Sequence, residues 1–324
     1  MENFPKNLHL AVIIPAYNEQ DSIATVISDT LKQLQGVKQK SIIVIDDGST
    51  DNTFAEIPDR KNIYKSKHIK NKGLGKSFDE GIKTALALKA NIIVNIDGDG
   101  QFDPKQIKKI IAPIVKGEAE IVLGSRFIKK NIYKTSFSKR IGNKFLAKII
   151  SIITGQKIYD ATCGFRAYCR EAALSMNIYD RFSYTLESLV DLSSKKFKII
   201  EIPVNVKERK FGKSKIASNL FYYGIKSTAI LTRSLRDNKP FHFFVVPALF
   251  GLTFSVTGFI FLLVRFLRYH VLSPYRSVLS LSIVFLSISI FILGLGMLFD
   301  LLNKIKKNQE DVLYYIKNND KKTK

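Results

Sequence analysis

Two long stretches without a charged residue constrain the fold of this chain more than any other feature. Residues 241–264 and residues 277–299 contain no Asp, Glu, Lys or Arg. Each stretch is long enough to cross the hydrocarbon core of a bilayer, which takes about 20 residues of helix. Two core helices of a soluble protein are the alternative, but arginines that follow the first stretch and precede the second favour membrane spans. The sequence therefore predicts transmembrane helices at 241–267 and 276–302.

The distribution of Lys and Arg predicts how these spans are oriented. Before Phe241 the chain has 41 Lys and Arg against 24 Asp and Glu, and the basic tail at 303–324 has seven more lysines. Positively charged segments stay preferentially on the cytoplasmic side of a membrane. We therefore expect a multi-pass protein of the cell membrane, or of the ER membrane in a eukaryote, whose N-terminal domain and both termini are cytoplasmic. Three arginines between the spans weaken this orientation without reversing it.

The formal net charge of +23 also bears on the choice of partner. Zinc-finger spacing and aromatic RNA-binding strand motifs are absent from the sequence, so we predict no nucleic-acid partner and expect anionic membrane lipids instead. In residues 215–240, apolar residues at helical spacing are interspersed with Lys226, Arg233 and Arg236. This pattern predicts a juxtamembrane amphipathic helix in the headgroup layer, with a surface helix packed on the domain as the alternative.

The N-terminal two thirds of the chain alternate short β-branched runs with helical patterns. LAVIIP, SIIVID, NIIVNID and EIVLGS are typical of buried strands, and helical spacing begins near Glu19, Gly73, Pro104 and Ser138. Strands and helices in alternation predict an α/β fold with a mostly parallel sheet covered on both faces. Polar clusters follow three of the strands, namely PAYNE, DDGSTDNT and DGDGQFDP. Ligands bind at the carboxyl ends of strands in such sheets, so these clusters are the predicted site.

The third cluster has the composition of an open cation site. Asp97, Asp99 and Gln101 alternate along an extended segment and present oxygens to one side, while Gly98 lets a bulky ligand approach the backbone. A few hard oxygen ligands suit Mg²⁺ or Mn²⁺, completed by water and substrate phosphates. The alternative is an Asp-rich turn before the next helix, a role that we assign to Asp103 as an N-cap.

Seven sequence blocks in a fixed order resemble one enzyme family. They are IIPAYNEQDSI, VIDDGSTDNT, NKGLGKSFDEGI, NIDGDGQFDP, LGSRF, DATCGFRAY and ERKFGKSKI, and the two apolar runs follow them. This order resembles the family 2 glycosyltransferases of the GT-A fold, and within them the dolichol-phosphate mannosyltransferase and polyprenyl-phosphate glucosyltransferase group. The resemblance implies a Rossmann-like GT-A catalytic domain at 1–214, followed by the juxtamembrane helix and the two spans.

The resemblance also implies a role for each matching position on the donor side. The implied substrate-binding positions are Pro15, Tyr17, Glu19, Asp46, Asp47 and Gly98. Pro15, Tyr17 and Glu19 would contact base and ribose, with Asp47 near their hydrogen-bond donors, while the metal set would hold a cation at the donor diphosphate. Tyr17 as a core aromatic is the alternative for that residue. For Ser49 and Asp51 the alternative is a structural role as caps of the helix near Asn52.

Transfer to a lipid phosphate needs no strong general base, because the acceptor is already an anion. The four histidines lie outside the polar clusters, and we interpret none of them as catalytic. Asp160 matches the carboxylate near the acceptor, and its role stays open between a base, a ligand of sugar hydroxyls and a residue that positions arginines. The implied catalytic positions are Asp99, Asp160, Arg126, Arg140, Arg209 and Lys215, with Arg166 as a further phosphate contact.

The sequence therefore predicts an inverting, metal-dependent hexosyltransferase. GDP-mannose or UDP-glucose is the expected donor, N-acetylhexosamine is less favoured, and polyprenyl or dolichyl phosphate is the expected acceptor, for later glycosylation of proteins or envelope glycans. The alternatives are transfer to another membrane acceptor, such as a glycolipid or polysaccharide, and a non-catalytic scaffold that binds nucleotide sugar. Gly294 and Gly296 in the second span suggest packing against a partner in a homo-oligomer.

Overall fold

The computed structural model describes residue 5 and residues 7–128, 137–178, 184–207, 228–229, 232–233, 236 and 240–319. The described residues form two compact units. The first contains those up to 229 together with 313–319, and the second contains those from 232 to 312.

Seven strands form one sheet in the first unit. They are β1 (His9–Ala16), β2 (Gln39–Asp46), β3 (Ile63–Lys67), β4 (Ile92–Asn95), β5 (Ile121–Ser125), β6 (Arg166–Cys169) and β7 (Ile199–Pro203). Their order across the sheet is β3-β2-β1-β4-β6-β5-β7. Neighbouring strands are parallel except where β6 pairs with β4 and with β5. The prediction of a mostly parallel sheet is confirmed, with one antiparallel strand inserted in it.

Helices cover both faces of this sheet. They are α1 (Ile23–Gln33), α2 (Leu74–Ala87), α3 (Ile107–Val115), α4 (Phe137–Thr154), α5 (Arg170–Ser175) and α6 (Tyr184–Ser194). The four predicted helices correspond to α1, α2, α3 and α4. The four predicted strands correspond to β1, β2, β4 and β5, whereas β3, β6 and β7 had no sequence prediction.

The period of two along β1 divides the core into two layers. Ile13 faces a cluster that includes Phe78 of α2 and Tyr184 of α6, whose rings stack with centroids 3.9 Å apart. Ile14, the next residue, faces the opposite cluster with Ile27 of α1. Because the central strands β1 and β4 are buried on both faces, their sequences are almost continuously apolar, as expected for a parallel sheet.

The second unit contains the two predicted spans. They form α7 (Pro240–Tyr269) and α8 (Arg276–Asn319), and both are long and apolar enough to cross a membrane, with mean hydropathy of 2.0 and 2.6 over their most apolar windows. The described helix α8 extends past the predicted end of the span and through most of the predicted basic tail. Ion pairs one turn apart, such as Lys304 with Asp300 at 3.2 Å, suit this polar continuation.

Small side chains bring α7 and α8 together within the second unit. Ser255 Oγ donates to the carbonyl oxygen of Ser282 at 2.8 Å. A Cβ atom on Gly251 would collide with Ser289 Oγ, so the glycine allows the two backbones to approach closely. Small residues and interhelical hydrogen bonds are the usual means of packing helices in a bilayer.

The two glycines that suggested a homo-oligomer have different surroundings. Gly296 faces Phe244 of α7, where an added Cβ would lie 3.0 Å from the Phe244 Cβ. Gly294 has no atom within 4 Å of an added Cβ. Gly296 therefore packs inside the helical pair, and the prediction of a homo-oligomer keeps only Gly294 as its support.

Candidate active site

Three loops meet at the carboxyl ends of β1, β2 and β4. β1 lies between the other two strands in the sheet, with β2 on one side and β4 on the other. The strand order therefore changes direction at β1. The backbone N–H of Asn18 donates to Ser49 Oγ at 2.9 Å, and Ser22 Oγ donates to the carbonyl oxygen of Gly98 at 2.7 Å. The three predicted polar clusters are thus joined at the point where open α/β sheets bind their ligands.

Asp97 and Asp99 form the acidic centre of this region. Burial and, next, the charge of Asp99 raise the pKa of Asp97 from its ordinary value to about 7, against the opposing charge of Arg126. Asp99 Oδ1 accepts a hydrogen bond from the backbone N–H of Gln101 at 3.0 Å, which fixes the turn between them. Two half-buried carboxylates held close together repel each other and would be stabilised by a cation.

The surroundings of Asp97 fit a cation of the Mg²⁺ or Mn²⁺ type. A Cβ atom on Gly164 would lie 2.8 Å from Asp97 Oδ2, so only glycine leaves room beside this carboxylate. Among the described residues no three His, Cys, Asp or Glu side chains come together as a complete ligand cage. An incomplete oxygen set is the arrangement expected where substrate phosphates and water complete the coordination.

Asp46 ends β2, and only one of its two carboxylate oxygens accepts a hydrogen bond from a described residue. Its side chain is fully buried, and Oδ1 accepts from the backbone N–H of Ser49 at 2.8 Å. Oδ2 lies 3.7 Å from Lys67 Nζ, and no described residue donates a hydrogen bond to it. A buried acceptor without a donor is unfavourable and suits a site completed by a ligand.

Asp47 is engaged in a different way, as the anchor of the loop before α2. Its Oδ1 accepts from the backbone N–H of Lys72 at 2.9 Å, and its Oδ2 accepts from that of Gly73 at 2.9 Å. His68 lies between Asp47 and Glu80, with each ring nitrogen 2.7 Å from a carboxylate oxygen. The imidazole of His68 therefore links the two carboxylates.

Glu80 completes this buried network from the first turns of α2. Burial alone would raise the pKa of Glu80, but hydrogen bonds from Ser66 and His68, together with the charge of His68, lower it below its ordinary value. The network therefore ties the end of β2 to the end of β3 and to α2.

Asp160 and Arg126 form a second polar centre. The Arg126 guanidinium donates to Asp160 from Nε at 2.6 Å and from Nη2 at 2.8 Å, and the Arg126 backbone N–H donates to it at 3.1 Å. The backbone N–H of Thr162 donates to the same carboxylate at 3.3 Å. Asp160 is fully buried, whereas the Arg126 side chain is partly exposed and acts electrostatically on Asp97. Asp160 thus holds the positively charged Arg126 guanidinium at the edge of the acidic centre.

Glu201 of β7 supports the loop that carries Asp160. Its two carboxylate oxygens accept from the backbone N–H groups of Tyr159 at 2.8 Å and Asp160 at 2.9 Å. Burial raises the pKa of Glu201 to about 7, although these two hydrogen bonds oppose the shift. Strand β7 therefore holds the backbone from which the Asp160 side chain projects.

Comparison with known proteins identifies the family of this domain. Residues 11–175, just over half of the chain, match the family described as Glycosyl transferase family 2. The chain belongs to this family. As a family 2 glycosyltransferase it is an enzyme, and the family resemblance inferred from the seven sequence blocks is confirmed.

Individual relatives of this family 2 glycosyltransferase have related names. A UDP-N-acetylglucosamine–dolichyl-phosphate N-acetylglucosaminyltransferase of Methanococcus voltae is 32% identical over 213 residues, which are 60% of this chain and 83% of the relative. A polyprenol monophosphomannose synthase of Mycolicibacterium smegmatis is 26% identical over 220 residues, which are 64% of this chain and 81% of the relative.

A solved structure agrees with the fold. Glucosyl-3-phosphoglycerate synthase of Mycobacterium tuberculosis, crystallised with Mn²⁺ and UDP-glucose, superimposes with a TM-score of 0.55 at 18% identity. The match covers 70% of this chain and 79% of that one. The first unit of this family 2 glycosyltransferase therefore has the predicted GT-A fold.

Arg166 has a different environment from the one predicted for a phosphate contact. Its side chain is fully buried in the family 2 domain. Its Nε donates to the carbonyl oxygen of Cys163, Nη1 to that of Thr185 and Nη2 to that of Ala161, each at 2.8 Å. These contacts join the Asp160 loop to α6, and they correct the prediction, because a guanidinium spent on buried carbonyls does not face a substrate phosphate.

The other predicted positions divide by what the structure describes. Pro15 is buried at the end of β1, and Tyr17 and Glu19 are partly exposed in the loop after it. Arg140 is exposed in the first turns of α4. Arg209, Lys215 and most of the predicted helix at 215–240 lie outside the described residues, so their roles stay predictions.

Two predicted helix caps are confirmed in this family 2 enzyme. Asp103 Oδ1 accepts from the backbone N–H of Lys105 at 3.0 Å, with Pro104 at the first helical position. Asp51 Oδ1 accepts from the backbone N–H of Thr53 at 3.0 Å. Neither carboxylate therefore needs a catalytic explanation.

Two residues at the site escaped the sequence interpretation. His68 lies outside the polar clusters of the sequence, yet the parallel pairing of β3 with β2 brings it beside Asp47. Glu201 lies in EIPV, a short run that was not predicted as a strand. A prediction of strands β3 and β7 would have located both residues, because His68 directly follows β3 and Glu201 lies in β7.

Proposed function

We propose that this enzyme transfers a sugar from a nucleotide sugar to a polyprenyl or dolichyl phosphate at the cytoplasmic face of a membrane, with inversion at the anomeric carbon. The observation that carries this proposal is the pair Asp97 and Asp99, half-buried at the meeting point of three strand ends and within the electrostatic influence of Arg126. A site of this kind binds a diphosphate through a cation and neutralises a second phosphate beside it.

The donor side is assigned to the acidic centre. Asp97, Asp99 and Gln101 would hold Mg²⁺ or Mn²⁺, which would supply Lewis-acid stabilisation of the leaving nucleoside diphosphate. The solved relative crystallised with Mn²⁺ and UDP-glucose supports the choice of cation class. Asp46 accepts a hydrogen bond from the base or ribose through the oxygen that no described residue uses.

The acceptor side is assigned to cationic groups. A phosphate monoester is mostly ionised near neutral pH, so its oxygen attacks the anomeric carbon directly while the bond to the diphosphate breaks. This single displacement inverts the configuration. The many hydrogen bonds that Asp160 accepts support a positioning role, in which it orients Arg126 toward the phosphates instead of removing a proton.

The described residues just before Arg209 support the predicted roles of Arg209 and Lys215. The backbone N–H of Lys207 donates to the carbonyl oxygen of Gln101 at 2.8 Å, and Val206 forms a bridge with Phe102. The chain is thus held against the acidic loop only two residues before Arg209. We assign Arg209 and Lys215 to the acceptor phosphate, together with Arg140.

Membrane attachment supports a lipid acceptor. The chain has two helices that can span a bilayer, and the two named relatives act, by their names, on dolichyl phosphate or make polyprenol monophosphomannose. The excess of Lys and Arg supports a cytoplasmic domain. The identity of the sugar is open between hexoses and the N-acetylglucosamine named for one relative.

The deciding experiment incubates membranes that carry the full chain with nucleotide sugars and lipid phosphates. GDP-mannose, UDP-glucose and UDP-N-acetylglucosamine are each paired with dolichyl phosphate, undecaprenyl phosphate, diacylglycerol or no acceptor, and the lipid products are identified by mass. We expect one glycosyl-phospho-polyprenol that requires Mg²⁺ or Mn²⁺ and disappears in the Asp99→Ala variant.

Membranes with the Asp103→Ala variant are the matched control, because this carboxylate lies in the same loop but caps a helix. Its product should persist. A glycosylated diacylglycerol would instead indicate a hydroxyl acceptor, and donor binding without any product would indicate a scaffold.

A further inference from the structure

One face of α4 carries large apolar side chains that no part of the described chain covers. Ile141, Phe145 and Ile152 are 52%, 61% and 72% exposed. The opposite face of the helix is ordinary core, where Leu146 and Ile150 are buried. At 100° per residue the three exposed side chains fall within an arc of roughly 40°, so they form one continuous stripe.

Basic residues run along one side of this stripe. Arg140, Lys144 and Lys148 are exposed, and α4 contains no acidic residue in any of its 18 positions. Helical geometry places the two lysines roughly 20° to 60° from Ile141, all on the same side. An apolar stripe bordered by cations is the pattern of a helix that lies in the headgroup layer of a bilayer.

The neighbouring loop extends the same chemistry. Tyr159 is 41% exposed, and Lys157 Nζ lies 5.2 Å from the centre of its ring. Asn143 Nδ2 donates to the carbonyl oxygen of Tyr159 at 3.1 Å, which holds the loop against α4. An aromatic ring with a polar tip beside a lysine is typical of groups at a membrane surface.

We propose that this surface, defined as the exposed face of α4 with Tyr159, binds an anionic lipid bilayer. Charge complementarity selects the bilayer, because four cations and no acidic side chain of α4 border the stripe. The chain also carries two helices long and apolar enough to span a membrane, and the inference rests on the membrane attachment proposed above. The inference concerns lipid contact alone and holds whichever sugar the enzyme transfers.

The surface is connected to the active site through one buried side chain. Asn143 Oδ1 accepts a hydrogen bond from the Thr162 hydroxyl at 2.9 Å, and Thr162 in turn contacts both Asp160 and the Arg126 guanidinium. The α4 surface is therefore linked by hydrogen bonds to the loop that carries Asp160.

The chain contains no tryptophan, so a single introduced tryptophan reports on one place without background. The test reconstitutes the full-length Phe145→Trp variant in vesicles of phosphatidylcholine and phosphatidylglycerol whose acyl chains are brominated near the headgroup. The matched control is Tyr64→Trp, which replaces another exposed aromatic, on the edge strand β3. We expect emission from the Phe145→Trp variant to fall about twofold in brominated vesicles, because interfacial helices insert a few ångströms past the headgroups. Emission from the Tyr64→Trp variant should be unchanged.

Charge reversal tests the second part of the inference. Adding Lys144→Glu and Lys148→Glu to the Phe145→Trp variant should abolish most of the quenching in anionic vesicles. Equal quenching at the two tryptophan positions would overturn the proposal. So would a Phe145→Trp variant that bromine fails to quench and that aqueous iodide also cannot reach, since this would mean that protein covers the stripe. A blue shift that depends on protein concentration in detergent would equally overturn it, in favour of a second copy of the chain.

Discussion

Arg126 and Asp160 are joined by a two-pronged hydrogen bond, with Nε at 2.6 Å and Nη2 at 2.8 Å from the carboxylate oxygens. The carboxylate is fully buried and also accepts from the backbone N–H of Thr162. A geometry of this kind fixes the plane of the guanidinium, which a single ion pair does not. The pair therefore acts as one unit that presents a positive charge to the acidic centre.

The first prediction concerns this unit. Arg126→Lys keeps the charge but loses the fork, so we expect kcat to fall by about tenfold or more while donor affinity changes little. Asp160→Asn should have a similar effect, and the double variant should be no worse than the worse single variant, because the two residues act together. Transfer kinetics at saturating donor and acceptor measure this. Lys83→Met, which breaks an exposed ion pair with Asp79, is the control and should retain normal rates.

The second prediction separates the aspartates of one loop. Asp97→Ala or Asp99→Ala should lower turnover by about a hundredfold, the scale expected when an electrostatic stabiliser of the leaving group is lost. Asp103→Ala should leave turnover nearly normal and lower the free energy of unfolding by about 1 kcal/mol, because it removes a helix cap. Steady-state kinetics and thermal unfolding distinguish the two effects. Full turnover of the wild-type enzyme in chelator would contradict the metal assignment.

The third prediction concerns His68, which bridges Asp47 and Glu80. His68→Ala leaves two carboxylates without their shared hydrogen-bonding partner, so it should destabilise the domain by about 1–3 kcal/mol and weaken donor binding through the loop that Asp47 anchors. His9→Ala is a matched control, because His9 Nε2 lies 3.0 Å from Ser41 Oγ, away from the acidic centre. It should cost less stability and leave donor affinity unchanged. Calorimetric titration of the donor after a thermal scan gives both quantities.

Local patterns in the sequence predicted the parts of the site that depend on neighbours along the chain. The Asp103 cap, the strand ends and the spacing of Asp97 and Asp99 are of this kind. Contacts between residues far apart in the chain could not be predicted in the same way. Arg166 is the example, because its Thr185 contact joins β6 to a helix and converts an expected phosphate ligand into a buried brace.

The missing strands explain most of the remaining differences. β6 has only four residues and inserts antiparallel between β4 and β5. Its sequence, RAYC, is too short to show an alternation of apolar and polar residues. β3 and β7 are the edge strands, and their side chains are mostly half-buried, without the continuous apolar run of the central strands. His68 and Glu201 come to the site with these edge strands. Their roles therefore became visible only with the strand order.

The fourth prediction uses the pKa of Glu201. An unfolded glutamate has a pKa near 4.5, whereas burial raises that of Glu201 to about 7 in the folded domain. The folded state therefore holds the proton more tightly, and the stability that this group contributes is complete below about pH 4.5 and is lost as the pH rises through 7. Glu201→Gln removes this dependence. Relative to that of the wild type, the thermal midpoint of the Glu201→Gln variant should rise between pH 5 and pH 8.

Glu120→Gln provides the control for this measurement. Glu120 also accepts a backbone hydrogen bond, from the Lys198 N–H at 2.7 Å, so its variant measures the cost of replacing a carboxylate acceptor with an amide. Faster amide exchange at Tyr159 and Asp160 in the Glu201→Gln protein would independently report the loss of an acceptor. Parallel pH curves for the Glu201→Gln and wild-type proteins would contradict the assignment.

The last prediction concerns Arg209 and Lys215, which follow the point where Lys207 is held against Gln101. If these two residues bind the acceptor phosphate, replacing either with Ala should raise the KM for polyprenyl phosphate far more than the donor Kd, because the proposed cation at Asp97 and Asp99 would neutralise the donor diphosphate. Arg209→Lys should recover only part of the loss, since lysine keeps the charge without the bidentate fork. Donor affinity is measured by calorimetry, and transfer is measured over a range of lipid phosphate concentrations. Loss of donor affinity with normal acceptor saturation would assign both residues to the donor diphosphate instead.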